Sequence, residues 1–299
     1  LFCYLFPLLS FLLSCLPSFL LSFFSLLFLP SFPPLSSLMG RKVDAFRGIP
    51  FAKPPLGLLR FQDPEPAEPI NGTFYATEDG PECVQRANND LSQPLQVTGD
   101  EDCLRLNVYR PSVTGAFLTS RWLCRLPYFF PCKRLHNFSI VFSGFYCSGD
   151  KEAPGNFGLK DQVLALKWVK ENIRDYGGDP YNVTIFGESV GGVSVHTLFF
   201  AKSAQGLFQK GISISGTVAM PVAHLPVAFV NSATERLGGR FNCPLENSSA
   251  LLACMQEVPA YELIEQQLNT SPVSLNGITI DISQFTPRHC LGLYMVSQD

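Results

Sequence analysis

Apolar residues return at three- and four-residue steps after Gly155: Leu159, Val163, Leu166, Val169, Ile173 and Tyr176. Lys167, Lys170, Glu171 and Arg174 fall between them. This spacing predicts an amphipathic helix that Gly177 and Gly178 stop. The period then shortens. Val183, Thr184, Ile185 and Phe186 are β-branched or aromatic, which predicts a short buried strand. Gly192 to Phe200 reads as a second helix, and Lys210 to Ser215 as the next strand, ended by Gly216. Helix, Gly-Gly-Asp-Pro loop, strand, turn and helix make one α/β unit whose strand runs parallel to its neighbours. Upstream, Arg41 to Phe51 reads as a strand and turn, and Pro54 to Gly57 as an extended loop. Leu104, Leu106 and Val108 alternate as a half-buried strand does, with Arg105 on the outward phase. Downstream, Val227 to Gly238 predicts a helix capped by Gly238 and Gly239, and Ser249–Glu257 and Ala260–Gln267 carry short helical patterns.

Composition bounds this picture. The 299 residues are 46% hydrophobic, enough for one large core or two small domains. A net charge of −3 gives no electrostatic case for a nucleic-acid partner. Residues 1–38 stand apart: other than Cys3, Tyr4 and Cys15 they are all Leu, Phe, Ser or Pro, without a charge. A signal peptide would need a basic start and a shorter apolar run. A membrane anchor fits the hydropathy, but Pro7, Pro17, Pro30, Pro33 and Pro34 oppose one continuous spanning helix. The favoured reading is a pyrimidine-rich non-coding tract read in frame. Membrane contact through 1–38 follows only from the second of the three. The expected organisation is therefore an apolar segment 1–38 outside the fold and a folded domain over 39–299.

Candidate chemistry centres on Gly187-Glu188-Ser189-Val190-Gly191, a G-x-S-x-G match between a strand and a helix. Such an elbow exposes the serine hydroxyl above the sheet edge. The same turn aims the Val190 N–H, at a helix N-terminus, toward a developing oxyanion. Flanking glycines suit it, because side chains would clash in backbone packed this closely.

With GNFGLKDQ, ALKWVKENI, GGDP and FGESVGG in order, the chain resembles the type B carboxylesterase/cholinesterase family. EDCLRLNVY at Glu101–Tyr109 and AFRGIPFAKPPLG at Ala45–Gly57 look like the same family's earlier motifs. The likeness covers roughly Gly40–Arg110 and Gly144–Ile282. It implies a partial α/β-hydrolase fold: a mostly parallel central sheet flanked by helices, with the C-terminal part missing. Function follows as an expectation: hydrolysis of small-molecule carboxylic esters through an acyl-Ser189, with no cofactor and no metal. Val190 stands where the family usually has Ala, which would crowd the acyl side of the pocket.

The resemblance also exposes gaps. The family carries a His-Gly-Gly-Gly-type oxyanion loop after EDCLRLNVY, whereas this chain has no H-G-G or G-G-G anywhere. Residues 115–143 therefore read as a doubtful insert replacing that segment. Here Arg121, Arg125, Lys133 and Arg134 cluster among Trp122, Tyr128, Phe129 and Phe130; a solvated or artefactual loop is preferred to a nucleic-acid surface. The triad is also incomplete. His196 lies two turns along the helix from Ser189 and cannot reach back over its N-terminus. His224 and His289 remain as bases, with Glu235, Glu246, Glu257 and Asp281 as acids, but the family places both members beyond residue 299. Ser215 is a minor candidate for a supporting hydrogen bond. The expected outcome is an esterase by ancestry that is inactive as this chain. The alternatives are a non-catalytic adhesion or binding member of the family, or a mis-assembled fragment.

Of ten cysteines, the resemblance pairs Cys83 with Cys103 and Cys243 with Cys254; Cys3, Cys15, Cys124, Cys132, Cys147 and Cys290 have no family partner. N-x-S/T sequons stand at Asn71, Asn137, Asn182, Asn247 and Asn269. Asn71, Asn247 and Asn269 are the glycosylation candidates, since Asn182 opens the nucleophile strand and is expected to be enclosed. Bridges and sequons together point to a secreted or extracellular protein.

Overall fold

Strand β1 (Val43–Pro50) runs antiparallel to β4 (Arg105–Pro111), with Phe46 opposite Val108 and Ile49 opposite Leu106. The computed structural model describes residues 43–87, 96–112, 123–125, 144–188, 190–219, 227–268, 273–275 and 278–280. Segment 1–38 lies outside them, as does the doubtful insert 115–143 except for β5 (Leu123–Arg125), which pairs antiparallel with β4. Two two-residue strands, β2 (Gln85–Arg86) and β3 (Val97–Thr98), pair with each other. The alternation read from the sequence is present: Leu104, Leu106 and Val108 are buried, while Arg105 turns outward to Asp102 and the Gly48 carbonyl. The register of β1 slips between Phe46 and Ile49, where Gly48 adopts φ 69°. A Cβ there would also stand 2.6 Å from the Glu78 carbonyl oxygen, so only glycine fits.

Helix α1 (Phe157–Asn172) buries Leu159, Val163, Leu166 and Val169, with Ile173 as its C-cap. The helix stops four residues short of Tyr176. Turns follow, closed by the Gly177 N–H on the Arg174 carbonyl and the Gly178 N–H on the Ile173 carbonyl. Gly177 takes φ 82°, the left-handed conformation that ends a helix at low cost. Tyr176 meets Phe46 edge to face at 5.0 Å, which joins the helix end to β1.

The chain then forms β6 (Thr184–Glu188), α2 (Val190–Phe200) and β7 (Lys210–Ile214), with β6 and β7 parallel in the register Thr184–Lys210 to Glu188–Ile214. The predicted parallel pairing is confined to these two among the described strands. Strand β6 is less enclosed than expected: Ile185 and Gly187 are buried, but Thr184 and Glu188 are exposed. One core joins β1, β4, α1, β6 and α2 through Ile49, Leu106, Val108, Leu166, Ile185 and Leu198.

A second core, around Phe61, Tyr146, Phe157, Leu237, Leu251 and Met255, gathers α3 (Val227–Arg240), α4 (Ser248–Glu257) and α5 (Ala260–Leu268). Helix α3 runs through the glycines expected to cap it. Gly238 is present for space, because a Cβ would lie 2.5 Å from Leu251 Cδ1; the chain turns away later, at Asn242 with φ 55°. Short strands β8 (Val273–Leu275) and β9 (Ile278–Ile280) form an antiparallel pair. Disulfides link Cys83 to Cys103 and Cys243 to Cys254. Cys147, expected to lack a partner, is disulfide-bonded as well. Among the described residues no helix is long and apolar enough to cross a membrane.

Candidate active site

The elbow is built from backbone contact. Strand β6 ends at Glu188 and α2 begins at Val190; Ser189, between them, lies outside the described residues. A Cβ on Gly187 would sit 2.4 Å from the carbonyl carbon and oxygen of Gly191. One on Gly192 would sit 2.9 Å from the carbonyl oxygens of Ile214 and Gly216. The first turn of α2 thus rests directly on the C-terminal ends of β6 and β7, and Ser213 Oγ donates to the Gly192 carbonyl at 2.9 Å. None of Gly187, Gly191 and Gly192 has a positive φ. Gly187 and Gly192 need glycine because backbone approaches backbone, not because the chain is left-handed. Val190 opens α2, so its N–H is one of the first-turn donors that a helix leaves without an internal acceptor.

The other candidates are scattered. His196 is half-buried on α2, and its Nδ1 accepts the Val218 N–H at 3.3 Å while its ring packs on Phe200. Seven residues of helix separate it from position 189, about 10 Å along the axis. Its visible role is to hold the loop after β7. Ser215 has φ 52° and is exposed, and the supporting hydrogen bond expected of it is not made among the described residues. Glu235, Glu246 and Glu257 are exposed on the helical layer. His224, Asp281, His289 and Asn269 lie outside the described residues.

Sequence reasoning missed three features. Gln162 on α1 and Ser194 on α2 are both buried and meet at 3.4 Å, a polar pair inside the helix contact beneath the elbow. Arg60 is buried and makes a two-pronged ion pair with half-buried Glu101, at 2.7 Å on each arm, and its Nη1 also donates to the Gln256 and Val258 carbonyls at the end of α4. Asp161 on α1 borders a cavity of about 60 Å³ with Leu59, Phe61, Leu104 and Leu263. Burial pushes its carboxyl up to about 8; Asp63 adds to the rise and Lys160 opposes it. No described lining residue of that cavity belongs to β6, β7 or α2. The Asp161 signal was legible only in part, as one acid on the apolar face of a helix; the other two join residues far apart in the chain.

Asn71 and Asn247 are exposed, and Asn247 caps α4 by accepting the Ser249 and Ala250 N–H groups. Asn182, expected to be enclosed, is exposed too; among the described strands β6 has only β7 beside it. Among the described residues no group of three or more His, Cys, Asp or Glu is placed to hold a metal ion.

Comparison with known proteins supplies the wider frame. The family model described as "Carboxylesterase family" matches residues 35–120 and 136–293. The chain is 38% identical over 242 residues to a carboxylic ester hydrolase of Bombus ignitus, covering 74% of this chain and 43% of that protein. It is 38% identical over 260 residues to the juvenile hormone esterase of Tribolium castaneum (80% and 44%) and 36% identical over 303 residues to carboxylesterase 1F of Mus musculus (86% and 53%). The chain spans about half the length of the curated relatives it matches. A strand–elbow–helix unit with glycines forced by backbone contact, set in matched sequence on both sides, belongs to a member of the carboxylesterase family, whose fold is that of the α/β-hydrolases.

Proposed function

We propose that this protein descends from, and its locus encodes, a serine hydrolase of small-molecule carboxylic esters in which Ser189 is the nucleophile. The single observation that supports this reading is the contact of Gly187 with the Gly191 backbone, which brings the end of β6 and the first turn of α2 together on either side of position 189. In the reaction Ser189 Oγ attacks the ester carbonyl, its proton passes to a base and on to the leaving alcohol, and water then releases the acid from the acyl-serine. The Val190 N–H donates to the oxyanion, and no cofactor takes part. The names of the relatives, esterases from insects and a mammal, support the ester class. The disulfides fit a secreted protein.

This chain alone is not competent. It has no Gly-rich oxyanion loop, and removing one such donor costs about 10²–10³-fold in rate. His196, the described histidine nearest in sequence to the elbow, is occupied on the Val218 loop. The test is a fluorophosphonate probe on the purified chain, with Ser189→Ala as control. Slow, sub-stoichiometric labelling that the control abolishes is expected. Rapid stoichiometric labelling of Ser189 refutes the inactivity; labelling that persists in Ser189→Ala refutes the nucleophile.

A further inference from the structure

We infer that Asn182 is an N-glycosylation site, carrying an oligosaccharide at the pole of the α/β unit opposite the elbow. Asn182-Val183-Thr184 is a sequon whose asparagine and threonine are both exposed. The backbone around it is held without using the side-chain nitrogen. The Asn182 N–H donates to the Asp179 carbonyl, the Val183 N–H donates to Gln209 Oε1, and the Val183 carbonyl accepts from Gln209 and Lys210. The carboxamide is oriented from one side only: Lys210 Nζ donates to Asn182 Oδ1 at 3.0 Å. Nδ2, the atom that carries a sugar, has no hydrogen-bond partner among the described residues, and Oδ1 remains an acceptor after substitution. Glycosylation precedes folding, so the fold must leave room for the sugar at this residue, and here it does. Strand β6 then carries the chain about 20 Å from Asn182 to Glu188, which keeps the glycan clear of the elbow.

In the step itself, a bond forms between Asn182 Nδ2 and the anomeric carbon of the first sugar. The bond from that carbon to the pyrophosphate of a lipid-linked oligosaccharide donor breaks, the lipid pyrophosphate leaves, and the amide nitrogen loses one proton. The inference rests on passage through the secretory route and not on the esterase reading. It is tested by expressing the full chain behind a cleavable secretory leader, with an added C-terminal sequon that reports translocation. Enzymatic deglycosylation in heavy-oxygen water converts each occupied asparagine to labelled aspartate, read by peptide mass spectrometry. The expected result is labelled position 182, lost in Thr184→Ala and kept in Thr184→Ser. An unlabelled Asn182 in molecules whose reporter sequon is occupied overturns the proposal, as does labelling that survives Thr184→Ala.

Discussion

The elbow unit and the helical layer hold themselves together by opposite means. Around β6, α2 and β7 the decisive contacts are backbone on backbone, possible because Gly187 and Gly192 have no side chain. Around α3, α4 and α5 the contacts are made by side chains: Arg60 reaching from the loop after β1 to Glu101 and the α4 carbonyls, the Cys243–Cys254 bridge, and the Asn247 cap. The difference follows from how tightly the chain turns in each region. Where a strand passes into a helix through one residue, the backbones must approach closely, and side chains would hold them apart. A helical layer has no such demand and can be fastened by whatever reaches across.

The comparison can be broken most strongly at Arg60. Arg60→Ala leaves Glu101 and the Met255, Gln256 and Val258 carbonyls without their donor, and loss of about 3–5 kcal/mol is expected in urea unfolding. A pH effect comes next, at Asp161 on the helix shared by both cores. Its folded-state value lies above its unfolded one of 3.8, so the folded protein holds the proton more tightly. Its contribution to stability is complete below pH about 4 and is lost as pH rises toward and through about 8, where the buried charge must form. Asp161→Asn should flatten that slope when unfolding midpoints are compared across the window; an unchanged slope excludes Asp161 as its source. Replacing both Cys243 and Cys254 by Ala should cost about 3 kcal/mol, and the loss should appear in thermal unfolding without reductant. Gly187→Ala sharpens the contrast from the other side. One methyl driven into the Gly191 backbone should cost about 1–3 kcal/mol, whereas Gly239→Ala, with nothing near its Cβ, should cost nothing or stabilise. Smallest is the cap: Asn247→Ala should lose about 1 kcal/mol and Asn247→Asp should retain it, as circular dichroism melts would show.

Periodic signals were read well because they reflect the chain's own geometry. The stripe Leu159 to Ile173 became the buried face and C-cap of α1, and Leu104, Leu106 and Val108 became the inner face of the first sheet. Glycines were read less well. Gly177 ends a run by taking a positive φ, whereas Gly238 sits inside α3 to admit Leu251, and in sequence the two are identical letters. Burial at strand ends was misjudged at Asn182, since exposure there depends on which strands lie alongside and not on residue type. His196 could be excluded as a base by helix geometry alone, but its bond to the Val218 loop could not be foreseen.

Local order along the chain was enough to predict α1, β6, α2 and β7 and the stop at Gly177, because helix and strand periods and glycine placement act between near neighbours. Only the tertiary structure decided why Gly187 and Gly192 must be glycine, that Arg60 meets Glu101 and the end of α4, and that Asp161 is buried at a cavity. Those outcomes depend on segments brought together from distant parts of the chain, where free energy is set by excluded volume and lost solvation that no single stretch encodes.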